Sequence, residues 1–210
     1  MEIESIDTRQ LCAEQQAVKV IYVESPLLFW VHLQDNKKPF EELQAKMQAE
    51  ISVNRKLAEN IQEDQAVVIM ENKLWQRGLI VGIDKATGVA RILLKDIGRN
   101  TCLPVTEIYE LDEKFKGLPW QAIACGLPRI KPNPPALTWS NEAKHLSHLV
   151  AEDKEGWIEI VQPLCKGAAL VNLQLQSMNF HASFDFKKAL IKLEIACHDD
   201  SIAEYTLLAL

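Results

Sequence analysis

Two stretches, Leu74-Trp75-Gln76-Arg77-Gly78 and Leu93-Leu94-Lys95-Asp96-Ile97-Gly98-Arg99, decide how this chain is read. Each lies in a run with strand character, Leu74 to Ile83 and Val89 to Lys95, and the turn-rich segment Asp84 to Gly88 separates the runs. Asp96 and Gly98 mark the end of the second run as a tight turn. An Asp side chain accepts hydrogen bonds from turn backbone, and Gly adopts φ > 0 without steric penalty. Trp75 reads as a wedge in a small core.

Ala66 to Met70 and Asn100 to Val105 flank these runs as further strands. Four short strands broken by Glu71-Asn72-Lys73, Asp84 to Gly88 and Gly98-Arg99 predict a small, strongly bent barrel. Upstream, Val18, Val20 and Tyr22 alternate with Lys19 and Ile21, Ser25-Pro26 turns the chain, and Phe29, Val31 and Leu33 line one face of a second strand. Phe40 to Asn54 has a helical stripe of Phe40, Leu43, Met47 and Ile51 opposite a polar face, with Pro39 suited to the first turn. This stripe is expected to pack on a sheet. Residues 1–16 are polar and read as a linker or approach segment.

Downstream, Ala122 to Leu127 reads as a short strand and Lys131-Pro132-Asn133-Pro134-Pro135 as an extended linker. Ser140 is placed to cap a helix from Asn141 to Val150. Trp157 to Leu164, Ala168 to Leu175, Ala182-Ser183-Phe184 and the remaining segment read as mostly strands, with a short helix near Ile202 to Leu207. Trp139 and Trp157 are expected to pack the linker helix rather than to stack on nucleic acid.

Composition bounds the function. The chain has 210 residues, 48% of them hydrophobic and 25% charged, with a net charge of −6. That is ordinary globular composition, and an acidic surface suits basic ligands better than nucleic acid. Cys12, Cys102, Cys125, Cys165 and Cys197 are scattered and odd in number, which argues for reduced thiols and an intracellular setting. The longest apolar run, Pro26 to Val31, is far short of a membrane span, and the first ten residues lack the apolar core of a secretory signal.

Trp75, Arg77, Asp96 and Gly98 resemble the skeleton of the Tudor family pattern, Trp-Tyr-Arg-Ala followed by Phe-x-Asp-Tyr-Gly-Asn. Three further phrases are similar to the extended form of that family in the piRNA pathway. They are Ser25-Pro26-Leu27-Leu28-Phe29-Trp30-Val31, Phe115-Lys116-Gly117-Leu118-Pro119-Trp120-Gln121-Ala122 and Trp139-Ser140-Asn141-Glu142-Ala143. The resemblance implies a mainly β fold with two or three helices: a Tudor β-barrel inserted in a split staphylococcal-nuclease-like OB-fold barrel, joined by a linker helix. It implies an N-terminal segment at 1–16, the first part of the OB fold with its helix at 17–56, and the Tudor barrel at 57–120. A linker at 121–139 and the linker helix with the second part of the OB fold at 140–210 complete it.

Family members that bind symmetric dimethylarginine use four aromatics and an Asn. Aromatic faces attract the weakly hydrated cation by roughly 0.5–2 kcal/mol each. The pattern carries those positions onto Met70, Gln76, Leu94, Ile97 and Arg99, with Asn100 one residue late. None is aromatic, no aromatic lies between Ile69 and Leu74, and Arg99 adds a positive charge. Met70, Leu94 and Ile97 suit plain barrel packing or an apolar patch for an unmodified peptide. Gln76 and Arg99 suit solvated surface or hydrogen bonds to a peptide.

No enzyme is expected. A staphylococcal-type nuclease needs acidic metal ligands and arginines at the phosphate. Glu152, Asp153, Glu159 and Asp185 are present, but no arginine follows Arg129. His145 and His148 lie three apart on the expected helix without a third ligand, so neither a metal nor a cofactor is expected. The resemblance implies a non-catalytic interaction module of a piRNA-pathway scaffold in a cytoplasmic, perinuclear granule (nuage). Its partners would be the Arg-rich N-terminal peptide of a PIWI-family Argonaute, unmethylated, and other granule proteins. No membrane partner is implied. The alternatives are a structural, self-associating module and, less favoured by the excess of acids after Ser140, single-stranded RNA binding through the OB half.

Overall fold

The computed structural model describes residues 2–177 and 182–199. In chain order their elements are β1 (Gln16–Ser25), β2 (Leu28–Leu33), α1 (Lys37–Asn54), β3 (Ala66–Glu71), β4 (Leu74–Asp84), β5 (Val89–Leu94), β6 (Arg99–Pro104), β7 (Ile108–Glu110), β8 (Ile123–Gly126), β9 (Ile130–Pro132), α2 (Asn141–Ala151), β10 (Glu155–Cys165), β11 (Ala168–Gln176), β12 (Ser183–Asp185), α3 (Phe186–Lys192) and β13 (Ala196–His198). The fold is mainly β with three helices among the described residues. The chain divides into two compact units, one of Met1–Ser5 and Asn36–Gln121, the other of Ile6–Asp35 and Ala122–Leu210.

The first unit is a five-stranded barrel-like sheet in the order β6-β5-β4-β3-β7. Alternation along β3, β4 and β5 sends Val67, Ile69, Ile80, Ala90, Ile92 and Leu94 inward, where they are buried together with Ile108. The opposite face of β3 and β4 is covered by α1, whose Met47 and Ile51 pack with Val68, Trp75, Leu111, Phe115 and Trp120. The expected stripe therefore packs on a sheet, but on that of the barrel rather than the OB fold where residues 17–56 had placed it. The apolar outer face of Trp75 and Val68 demands a cover, and α1 supplies it. The fifth strand, β7, is only three residues long and pairs with β3.

The second unit is a sheet in the order β10-β1-β2-β8-β11-β12, and β10 also pairs with β11. Strands β1, β2, β8, β11 and β10 thus close into a five-stranded barrel of OB type. Its core includes Val18, Val20, Phe29, Val31, Ile158, Val171 and Leu173, with Phe186 and Leu190 of α3 and Ala143 and Ala151 of α2. Ser140 caps α2 by accepting from the Ala143 N–H at 3.1 Å.

Three expectations change. Residues 1–16 are not a linker. Ile3 is buried in the first unit, while in the second the Thr8 hydroxyl donates to the Cys165 and Ala168 carbonyls at 3.1 Å each. The short strand expected at Ala122 to Leu127 forms as β8, and with it part of 121–139 is core sheet rather than linker: Ile123 and Cys125 are fully buried between two neighbouring strands. Residues 186–192, read as strand, form α3. Phe186 and Leu190 share one helix face, and Asp185 caps its start by accepting from the Lys188 N–H at 2.8 Å. The helix expected near Ile202 to Leu207 lies outside the described residues.

Candidate functional site

The two opening stretches meet at one end of the barrel-like sheet. The two-residue turn Asn72-Lys73, with φ of 49° and 66°, joins β3 to β4 as a type I′ hairpin turn does. Antiparallel pairing of β4 with β5 sets this turn beside the one at Lys95-Asp96-Ile97-Gly98, where Gly98 takes φ +69°. The Ile97 and Gly98 N–H groups both donate to the Leu94 carbonyl, at 3.0 and 2.8 Å.

Arg77 and Asp96 lock this end. Both side chains are fully buried. Arg77 Nε donates to Asp96 Oδ2 and Nη2 to Asp96 Oδ1, each at 2.8 Å. Nη1 donates to the carbonyls of Phe115 (2.9 Å) and Leu118 (2.7 Å), and Nη2 to that of Pro119 (3.1 Å). All five guanidinium donors are thereby used. The plane lies over Trp120 at 5.0 Å, and Asp96 also accepts from the Gln121 N–H at 3.0 Å. Asp96 therefore reaches a distant backbone group rather than only its own turn. These fully buried residues hold the frame.

Helix α1 secures β4 from the other side. The Gln48 side-chain amide donates to the Trp75 carbonyl (3.0 Å) and accepts from the Trp75 N–H (2.9 Å), as a neighbouring strand would. Trp75 Nε1 donates to Ser52 Oγ at 3.0 Å, and its ring meets Tyr109 edge-on at 5.3 Å.

The register separates Met70 from the other four cage positions. Gln76 pairs with Ile69, so its side chain is on the interior face; it is 8% exposed, and its Oε1 accepts from Gln44 Nε2 at 3.2 Å. It is not solvated surface. Leu94 is fully buried in the interior and Ile97 packs partly buried against the same cluster. Arg99 pairs with Leu94 and is exposed. Met70 pairs with Trp75 and so belongs to the outer face, 41% exposed. Gly78, where the pattern has Ala, explains how Leu94 sinks so deep. A Cβ there would stand 2.4 Å from Ile92 Cγ2 and 3.2 Å from Leu94 Cδ2. The aliphatic core has taken the space that an alanine methyl would occupy.

The register also places a residue that motif spacing missed. Glu71 pairs with Leu74 on the interior face, adjoining Gln76. Its Oε2 is enclosed without a hydrogen-bond partner, and Leu74 beside it is 49% exposed. The period-two alternation from Ile69 carried this signal.

The acids weighed as nuclease ligands are occupied structurally. Glu152 accepts from the Val23 N–H (2.9 Å) and meets His148 Nδ1 (2.6 Å). Asp153 pairs with Lys19 at 2.9 Å, and Asp185 caps α3. Glu159 accepts from Asn172 at 3.2 Å. His145 and His148 stack at 6.4 Å, and no metal-competent cluster of His, Cys, Asp or Glu occurs among the described residues. Trp139 packs against the second unit's core as expected, whereas Trp157 lines a groove of about 430 Å³ with Glu159, Asn172, Gln174 and Lys188.

The sequence profile of the Tudor domain family matches residues 10–129. Human RING finger protein 17 is 24% identical over 163 residues, covering 75% of this chain and 10% of that protein, so the chain spans about a tenth of this relative. Among solved structures, the extended Tudor domain TD3 of mouse TDRD1, in complex with a MILI peptide containing dimethylarginine, superposes with a TM-score of 0.78 at 18% identity, covering 92% of this chain and 95% of that one. A mutant Drosophila melanogaster Papi extended Tudor domain in complex with an unmethylated Piwi N-terminal peptide gives 0.75 at 18% identity, covering 89% and 100%.

Proposed function

The chain belongs to the Tudor domain family, and from that premise we propose that it is a non-catalytic module binding an Arg-rich N-terminal peptide of a PIWI-clade Argonaute without requiring arginine dimethylation. Leu94 carries the reading: a fully buried aliphatic side chain holds a position where dimethylarginine-binding members present an aromatic face. Cation–π attraction needs such faces open to the ligand. Gln76 offers an amide, and Met70 is on the other face of its strand. An unmodified guanidinium, with five N–H donors and a strong demand for acceptors, suits this chemistry better than a methylated one.

Two observations support the partner class. Relatives of the same fold are known with MILI and Piwi peptides, one of the latter unmethylated. The net charge of −6 favours a cationic ligand. We place the module in a piRNA-pathway scaffold of the cytoplasmic perinuclear granule, with other granule proteins as further partners. Glu159 and Asp185 share the Trp157 groove with Lys187 and Lys188, which weakens the RNA reading.

The site is tested by fluorescence anisotropy with a labelled, unmethylated Arg-Ala-repeat peptide. Arg99→Glu removes a like charge and is expected to tighten binding, while Ile97→Asp disrupts the apolar rim and is expected to weaken it. Unchanged affinity in both variants would remove the site from the barrel end.

A further inference from the structure

We infer that Glu71 reads the unmodified guanidinium, its carboxylate replacing the aromatic cage with an anionic acceptor; this rests on the peptide-binding reading above. Register, burial and chemistry converge on it. The β3–β4 ladder pairs Glu71 with Leu74 and Ile69 with Gln76, which puts Glu71, Leu74 and Gln76 on one face at the barrel end beside the turn bearing Ile97. Diagonal neighbours on such a ladder are close enough for long side chains to share a ligand.

Glu71 Oε2 is enclosed without a donor, although the residue as a whole is half-buried. An ionised carboxylate only accepts, and an enclosed unpaired oxygen is destabilising, so a bound donor there would relieve the cost. The terminal torsion of Glu is soft, so a small rotation brings this oxygen to an incoming donor. Three other acids of this unit are already matched: Asp96 with Arg77, Glu110 with Lys56, Glu50 with Lys114.

The neighbours suit an arginine. Leu74, 49% exposed and opposite Glu71, offers an apolar bed for the methylene stem. Gln44 occupies Gln76 Oε1, which leaves the Gln76 N–H₂ group to donate to a peptide carbonyl. Symmetric dimethylation keeps the charge but removes N–H donors and blocks a two-point contact with a carboxylate. A carboxylate reader therefore favours the unmethylated form, the opposite preference to an aromatic cage.

The test is calorimetric titration of the whole chain with three synthetic Arg-Ala-repeat peptides, the central arginine being unmodified, symmetrically dimethylated or replaced by citrulline. On the wild type, the citrulline peptide is expected to bind at least about tenfold more weakly than the unmodified one. Glu71→Gln is expected to lose a similar factor, about tenfold, for the unmodified peptide and little for the dimethylated one, closing the gap between them. Its thermal midpoint should match or exceed that of the wild type, since an enclosed neutral amide costs less than an enclosed unpaired carboxylate. If the wild type prefers the unmodified peptide and Glu71→Gln preserves that preference, this inference falls and the binding reading stands. If the wild type prefers the dimethylated peptide or binds none, the binding reading falls and this inference with it.

Discussion

Replacing Arg77 by Met should destabilise the barrel unit more than any substitution at the candidate site. Arg77 and Asp96 are both fully buried, so removing the cation strands a carboxylate in the interior. Breaking a buried pair in this way costs about 3–5 kcal/mol. The carbonyls of Phe115, Leu118 and Pro119 lose their donors as well, each worth about 1–3 kcal/mol where water cannot replace them. A loss of at least about 4 kcal/mol follows, a large part of the roughly 5–15 kcal/mol that holds a domain together. For a chain of this size it lowers the melting midpoint by roughly 8–16 °C. The assay is denaturant unfolding followed by tryptophan fluorescence, since Trp75 and Trp120 both report on this unit. Arg77→Lys should recover less than half, because an ammonium restores the charge but not the planar fork and its five donors. A change under about 1 kcal/mol for Arg77→Met would refute the claim that this pair locks the unit.

The remaining predictions concern particular side chains. Gly78→Ala, the residue of the family pattern, should destabilise by about 1–3 kcal/mol in denaturant unfolding, because its Cβ would stand 2.4 Å from the stiff Ile92 side chain. A neutral or stabilising result would mean that the aliphatic core yields freely. In thiol titration of the native protein, exposed Cys12, Cys102 and Cys165 should react first, and Cys125 only on unfolding, since burial pushes its thiol pKa up. Asp84 has its pKa held below the ordinary carboxylate value by the Thr87 hydroxyl and then the Ala86 N–H. That stabilisation is present above the unfolded-state pKa and is lost as pH falls through the lowered one. Asp84→Asn should therefore flatten the acid limb of a stability–pH curve; an identical limb in the variant would refute it.

The sequence made the strand-turn-strand core legible because β3 to β6 are long enough to show their alternation, and α1 because Met47 and Ile51 sit on one stripe. Strand β7 and helix α3 are too short for periodicity to separate them from loop or strand. The role of Arg77 was hidden for another reason: its partners Asp96, Phe115, Leu118 and Pro119 lie 19 to 42 positions away, and no local pattern announces them. At the candidate site, motif spacing identified the positions but not their faces. The turn at Asn72-Lys73 fixes the hairpin register, and that register sends Met70 outward and Glu71 inward. Counting along a motif finds a residue; only the ladder tells which side of the sheet it occupies.

On the reading proposed above, this Tudor frame binds arginine through hydrogen bonds and charge rather than through an aromatic cage. The ratio of dissociation constants for one Arg-rich peptide in unmethylated and symmetrically dimethylated forms, measured by calorimetry on the same wild-type preparation, tests it most directly. The unmethylated peptide is expected to bind at least as tightly as its dimethylated counterpart. Clear preference for the dimethylated peptide would contradict it.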